Sequence, residues 1–493
     1  MKNLCAALAL LLILALPAEA QSSLSLQVEP SVAFRAGDLD SEFYPKAISP
    51  ALALGIKFES GPFLLKASGS ANTDGKFAPI LADTPSGTLG SLYAMMEEGG
   101  MMLKIGKSLV QAGRFRHYDE VDSPYSLAVN SRGASAFLAR LRYEDSRFVY
   151  ENRWISLTQD SAMATEGWPE AIFGGFPDRG ANLKVYAAKF GEMRLGYQDI
   201  AVYSLRSFDA EYFLSPMPQY LTQYVRGQGG RPWSTGYDDN SLMGLFWDWN
   251  RPGSFYAYAQ FLLDDFGAFG LGDWQNNPWQ FAVSGGARFE TGIGTVGLFL
   301  AGATRHTFEP RQVGDFDADT LAAIQGMSAY GYTYYPDTRF EGGLISIEDN
   351  NVGYLYGANN LALRVEWAGS AGDFRLKSGL EFRLQGMNSP ANPWGDLTRD
   401  PQEGTRWLDD PVLEKRFGAM FCLSWERGNW VLGAALSGNI AFDALGLRSP
   451  ILDPAEVATA APADSGIWLY EPVGGLARWN LLFSAGAALR LGR

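Results

Sequence analysis

The chain of 493 residues holds only two histidines, His117 and His306. A serine–histidine–aspartate relay needs one of them beside a nucleophile. His306 sits in Ala303-Thr304-Arg305-His306, and no G-x-S-x-G elbow follows residue 20. These residues give an enzyme little to work with, and the chain reads as non-enzymatic. Carboxylates are more suggestive. Asp315, Asp317 and Asp319 form D-x-D-x-D, a spacing at which oxygens can bind Ca²⁺. The Ca²⁺-loop pattern wants glycine next, yet Thr320 stands there, and its twelfth position lacks glutamate. A solvated acidic loop is the competing reading, and Ca²⁺ is the only cofactor this pattern would hold. Two aspartate pairs, Asp238-Asp239 and Asp264-Asp265, bracket an aromatic run and read as the polar edge of a hairpin. The most distinctive groups are rings in polar company: Trp233, Tyr237, Tyr330, Tyr332, Tyr334, Tyr335, Trp394 and Trp407. A ring stacks on the C–H face of a sugar while neighbouring Asp, Asn and Arg side chains satisfy its hydroxyls. These residues are candidate polysaccharide-binding positions. Packing of the loops among themselves is the alternative.

What would position such groups is set by composition and pattern. Lys2, an apolar run from Leu4 to Leu16, and Ala18-Glu19-Ala20 read as a secretory leader over residues 1–20. Residues 21–493 then form one unit, with long outer loops and no separate soluble domain. Only Cys422 remains beyond the leader, so no intrachain disulfide is available to it. The chain is 47% hydrophobic and 13% aromatic with 56 glycines, yet has no later apolar run of helix-spanning length. The formal charge of −14 argues against a nucleic-acid partner.

Alternation of period two is the main signal. Over 373–385, Phe374, Leu376, Leu380, Phe382 and Leu384 share one face, while Arg375, Lys377, Glu381, Arg383 and Gln385 share the other. Eighteen segments of this kind can be read, near 22–34, 51–58, 62–70, 89–97, 101–107, 134–144, 147–157, 181–189, 192–201, 241–249, 255–264, 279–289, 294–303, 361–369, 373–385, 416–426, 429–438 and 479–491. Tight turns alternate with long connections, and an even count returns both termini to one side. This predicts an all-β fold, a transmembrane antiparallel up-and-down β-barrel of about eighteen strands, with sixteen as the alternative. Its place is the outer membrane of a diderm bacterium. Trp247, Trp249, Trp367, Trp425 and Trp430 fall near the short turns, and Trp154 and Trp479 near the opposite rim, as two aromatic girdles would. The final strand, ending in Arg493, looks like the signal read by the barrel-assembly machinery. Arginines 140, 142, 153, 194, 364, 375 and 383 share the inward face with glutamates 144, 151, 192, 366 and 381. Such mixed charge favours a filled lumen over an ion-selective ladder.

The middle of the chain resembles the capsule-assembly Wzi family of outer-membrane barrels. The resemblance rests on Arg194-Leu195-Gly196-Tyr197, Phe208-Asp209-Ala210-Glu211-Tyr212, Tyr220 and Asp239-Asn240-Ser241-Leu242-Met243-Gly244. It continues through Pro252-Gly253, Tyr258 to Phe266, Asn277, Thr304-Arg305 and Pro310, about residues 105–310 in all. It implies an eighteen-stranded barrel that holds capsular or related polysaccharide at the cell surface in the manner of a lectin. The family's helical N-terminal plug has no counterpart between Gln21 and Pro50. The implied partners are surface polysaccharide or lipopolysaccharide, outer-membrane lipid and the assembly machinery. A porin or specific transport channel is the alternative function.

Overall fold

A computed structural model describes residues 22–41, 44, 46–75, 88–89, 92–130, 135–157, 178–227, 232, 239–265, 279–308, 331–334, 339–340, 343–344, 346–387, 405–448 and 469–492. The expected leader over residues 1–20 lies outside them. The described residues build a closed antiparallel barrel. Its strands are β1 (Ser22–Gly37), β2 (Ile48–Ser60), β3 (Phe63–Asn72), β4 (Leu92–Ile105), β5 (Ser108–Phe115) and β6 (Ala136–Glu144). Next come β7 (Phe148–Ser156), β8 (Arg179–Phe190), β9 (Met193–Ser204), β10 (Asn240–Arg251), β11 (Phe255–Asp265) and β12 (Gln280–Thr291). The last six are β13 (Gly294–Ala303), β14 (Asn360–Ala371), β15 (Phe374–Gln385), β16 (Glu414–Arg427), β17 (Trp430–Phe442) and β18 (Ala477–Gly492). Each pairs with its sequence neighbours. The pairing of β1 with β18, Val32 opposite Ala485, closes the cylinder and leaves no free edge in lipid. A two-residue piece, Thr88–Leu89, adds to β4 at its end.

Eighteen strands therefore form the wall, and the turns fall where expected, with Gly191 and Gly428 supplying φ of 65° and 60° in two of them. One pair of boundaries differs from expectation. The segments read at 89–97 and 101–107 are one strand, β4, and β5 lies beyond it at Ser108–Phe115. The cause is a β-bulge. Ser68 pairs with Glu98 and Gly69 with Met96, so Glu97 has no opposite residue and the alternation slips. With Gly99-Gly100 beside it, that slip looks like a turn.

Large apolar side chains cover the outside. Leu54, Leu245, Leu298, Leu380 and Leu436 are all exposed there, as a wall solvated by lipid requires. The main buried cluster lies inside instead, built on the lumen face of β6–β14. Two connections fold inward to complete it. The stretch 116–130 follows β5, and 331–334 with 346–359 precedes β14 and includes a helical turn at Ile347–Asn350. A third connection, after β9, forms helices α1 (Ala210–Leu214) and α2 (Gln219–Gly227).

Candidate functional site

The lumen face of β6–β10 carries a ladder of paired charges. Glu151 on β7 is fully buried and is shared by Arg140, Arg142 and Arg153, with Arg142 Nη1 at 2.7 Å. Arg194 on β9 donates to Asp248 on β10 at 3.0 Å. These are the inward arginines and glutamates that alternation predicts. Glu192 is different: it lies in the turn after β8 and pairs with Arg251 at 3.0 Å.

The stretch 116–130 is seated on this ladder. Glu120 accepts from Arg142 and, at 2.9 Å, from Arg194 Nη1, while its carbonyl accepts from Arg194 Nη2 at 2.8 Å. Arg153 donates to the Tyr118 carbonyl at 2.9 Å. The Asp122 N–H meets Tyr256 Oη at 2.9 Å, and Arg288 donates to the Asp122 carbonyl at 2.8 Å. Tyr256 and Arg288 lie close to the short-turn end of the wall, so the segment descends most of the barrel's depth. Asp119 accepts from Gln260 at 2.9 Å and from the Ala128 N–H at 3.2 Å. Burial raises its carboxyl pKa, and these hydrogen bonds oppose the rise. His117 bridges the two inward segments, with Nε2 2.9 Å from Tyr334 Oη and Nδ1 3.3 Å from Arg153. Burial, then Arg153 and Arg140, push its pKa well below the ordinary imidazole value. A buried imidazole beside fixed cations is held neutral.

The second inward segment locks onto the first. The Asn130 N–H donates to the Val352 carbonyl at 2.7 Å, and Val352 to Tyr332 at 3.1 Å. Tyr332 Oη donates to the Ala128 carbonyl. Tyr125 meets Tyr354 edge-on at 6.1 Å. Gly353 allows the close approach: a Cβ there would stand 2.2 Å from the Leu127 carbonyl oxygen. Together the two segments form a plug drawn from internal loops, not from the N-terminus, where residues 22–37 and 48–60 are wall strands.

Beside the plug lies a polar cavity of about 230 Å³, lined among others by Asp40, Tyr44, Glu348, Tyr356, Arg383 and Asn439. Arg383 pairs with Glu348 at 3.2 Å and Glu414 at 3.1 Å, and its guanidinium sits 4.2 Å from the Tyr356 ring centre. Tyr356 Oη donates to Glu381. Arg416 pairs with Asp40 at 3.3 Å. Aromatic faces beside paired charges and an amide are a chemistry that accepts hydroxylated ligands.

The candidate rings separate. Tyr332 and Tyr334 are 1% and 5% exposed within the plug. A surface stacking role does not fit that burial, because their hydroxyls and faces are taken by plug contacts. Trp407 is half-open over the outer end of β12 and β13, donating to the Asn360 carbonyl at 2.9 Å and meeting Phe281 edge-on. Trp233, Tyr237, Tyr330, Tyr335 and Trp394 lie outside the described residues, as do Asp315, Asp317, Asp319 and Asp238. Asp239 and Asp264 organise loops at the rim: Asp239 accepts from Arg206 at 2.7 Å and Tyr212 at 2.9 Å, and Asp264 from the Phe308 N–H at 2.6 Å. Sequence reading missed Glu120, Asp119 and the bridging role of His117. Their only trace was a gap between strands, charged at 116–122 and apolar at 127–129.

No family model matches the chain, and no curated protein matches it. Solved structures do. Wzi of Escherichia coli, described as an outer-membrane protein involved in group 1 capsule assembly and a carbohydrate-binding β-barrel, aligns at a TM-score of 0.51 and 12% identity. That alignment covers 94% of this chain and 84% of Wzi. OccAB3 of Acinetobacter baumannii aligns at 0.46 and 11%, over 96% of this chain and 100% of that one. OprD of Pseudomonas aeruginosa aligns at 0.46 and 11%, over 96% and 97%. At these identities the likeness is one of fold: the chain is an outer-membrane-type β-barrel.

Proposed function

We propose that this protein is a non-enzymatic barrel of the outer membrane that binds or organises capsular or other surface polysaccharide from its outer side. The observation that carries the reading is the plug. Two internal loops occupy the lumen beside β6–β14, tied to the wall through Glu120, Asp119 and His117. A barrel that fills itself in this way spends its interior on rigidity, and its outer rim is left for recognition. The carbohydrate-binding neighbour Wzi supports the same reading. The polar cavity lined by Tyr44, Asp40 and Asn439 is a candidate subsite, and Trp407 is a half-open ring at the rim. Trp233, Tyr237, Tyr330, Tyr335 and Trp394 are further candidate stacking rings, and Asp315, Asp317 and Asp319 a candidate Ca²⁺ loop. His117, sealed between Arg153 and Tyr334, is poorly placed for substrate chemistry.

The test is retention of the host's own surface polysaccharide by the purified protein. Binding that falls at least tenfold on Tyr44→Ala supports the reading, and no retention of that polysaccharide sinks it. A channel is the second reading, favoured by one observation. Opposite the plug, the lumen face of β17, β18, β1 and β2 is lined by small side chains such as Ser437, Ser484, Ala33 and Ala51, all partly open. Conductance in planar bilayers separates the two: the plugged barrel gives at most brief, small events, whereas steady large openings would establish a channel.

A further inference from the structure

Residues paired across antiparallel strands point to the same side of a sheet. Glu151 and Arg153 face the lumen, so Asn152 and Trp154 face outward. Asn152 pairs with Lys184, and Lys184 with Asp199. The outer face of β7–β9 therefore carries an amide and two charges where other strands carry leucine. On β8 the usual pattern is inverted, with Leu183, Val185 and Ala187 inward and Asn182 and Lys184 outward. Yet Asn182 and Lys184 are both 0% exposed.

What covers them is the α1–α2 hairpin. Lys184 Nζ donates to the Met217 carbonyl at 2.5 Å, and Tyr186 Oη to the Pro216 carbonyl at 2.5 Å. Asn152 donates to the Phe213 carbonyl, and Asp199 accepts the Gln219 N–H. Trp154 Nε1 reaches the Ser207 carbonyl at 2.6 Å, and Tyr203 stacks on Tyr212 at 5.6 Å. The hairpin thus lies against the outside of the barrel. Its amphipathicity is reversed relative to a helix on a water-facing core. Gln219, Thr222 and Arg226 are its buried residues, Gln219 against Asp199 of the wall and Arg226 against Asp209 of α1. Leu214, Leu221, Tyr224 and Val225 turn away, at 70%, 44%, 60% and 45% exposure.

Height decides which solvent they meet. A strand tilted by roughly 40° climbs about 2.5 Å per residue. Lys184 is then roughly 15 Å above the short-turn end at Phe190, and Asn182 roughly 20 Å. Both fall within an apolar band of about 25 Å. The apolar wall on these strands stops at Tyr186, near mid-membrane. We propose that α1–α2 is a membrane-seated hairpin, with Leu214, Leu221, Tyr224 and Val225 lying among the acyl chains of outer-leaflet lipid and completing the band that β7–β9 leave unfinished. The surface is continuous with the lipid-facing wall, which is what identifies the occupant. The proposal rests on the barrel's seat in the outer membrane and not on what its loops bind.

Site-directed spin labelling tests it in the full-length mature barrel reconstituted into phosphatidylcholine–phosphatidylglycerol vesicles. In a Cys422→Ser background, single changes Leu214→Cys, Leu221→Cys and Val225→Cys carry a nitroxide. Leu298→Cys on the outer face of β13 is the lipid reference, and Lys107→Cys in a turn is the water reference. Power saturation compares oxygen with a water-soluble nickel chelate. The hairpin positions are expected to match Leu298→Cys, with oxygen accessibility several-fold above nickel. Matching Lys107→Cys instead would overturn the proposal and place the hairpin in water. If Leu298→Cys itself reports water, the membrane seat of the barrel has failed, which is a different result. Unchanged β-sheet circular dichroism shows that each variant has folded.

Discussion

Two loops fold back onto the same stretch of wall, one inside β6–β10 and one outside β7–β9. The inner segment, 116–130, meets a ladder of paired charges low in the lumen and an apolar face above it: Leu183, Val185, Ile200 and Val202 pack against its cluster with Val121, Leu127 and Val129. The outer hairpin meets Asn152, Lys184 and Asp199 and turns its own leucines away from the protein. The wall between them has its pattern reversed, and each cover explains half of the reversal. Apolar residues can face the lumen because a plug removes them from water. Polar residues can face lipid because a hairpin removes them from the acyl chains. A barrel strand's alternation reports what covers it, not which side is in.

The largest expected effect strikes the inner cover. Glu120 is the carboxylate through which the plug holds Arg142 and Arg194. Glu120→Ala leaves both guanidiniums short of a partner in a closed site, a loss of about 3 kcal/mol by analogy with broken buried pairs. The plug is expected to detach while the strands stay paired. The variant should therefore conduct in planar bilayers where the parent does not, with unchanged β-sheet circular dichroism. If conductance is unaltered, Glu120 does not seat the plug. Gly353→Val is next. Its side chain would meet the Leu127 carbonyl oxygen at the contact between the two inward segments. Overpacking of this kind costs roughly 1–3 kcal/mol. It is read as faster hydrogen exchange of the Asn130 and Val352 amides, with exchange on β15–β18 unchanged.

The outer cover is lighter to break. Asp209 caps α1, accepting from the Glu211 and Tyr212 N–H groups at 3.0 and 3.2 Å, and binds Arg206 and Arg226. Asp209→Ala removes a cap worth about 1 kcal/mol and loosens both arginines. Exchange should rise over Ala210–Gly227 alone. Equal acceleration within β10 would mean that the hairpin is part of the wall's own stability and not a cover laid on it.

How much of this was legible in the sequence follows from the same comparison. Over Phe374–Gln385, lipid outside and polar lumen inside sort residues by parity, and the strand, its limits and its facing can all be read. Over Arg179–Phe190 a strand is equally visible, but its facing depends on residues 117–129 and 213–219, which no local pattern connects to it. His117 and Tyr334 touch across more than two hundred positions. Asp239 and Asp264 could be placed at the rim because a hairpin turn, Pro252-Gly253, lies midway between them. For Tyr332 and Tyr334 the sequence leaves two readings open, because a run of tyrosines in a long loop suits a sugar-binding surface and a packed plug alike. Burial separates the two, and burial there is set by a partner loop. Glu97 hid a strand for a simpler reason, since one unpaired residue shifts the parity of all that follow.

The smallest effect is the most specific to the plug. His117 is held neutral by burial and by Arg153 and Arg140, with Glu151 partly opposing them and Tyr334 accepting or donating at its far nitrogen. Its seated pKa is depressed, so between that value and the ordinary 6.5 the released segment binds more protons than the seated one. The contribution of His117 is therefore fully present above pH 6.5 and is lost progressively as pH falls below it toward the depressed seated value. Asp119 acts in the opposite sense. Burial raises its seated pKa above the ordinary carboxylate value, so the seated form takes up a proton first and gains as pH falls through that window. The parent plug should loosen modestly from pH 7.5 to 5.5, read as exchange of the Ala128 and Asn130 amides corrected for intrinsic rates. His117→Asn should flatten that trend. Loosening of equal size in both proteins would show that His117 does not govern the response of the plug to pH.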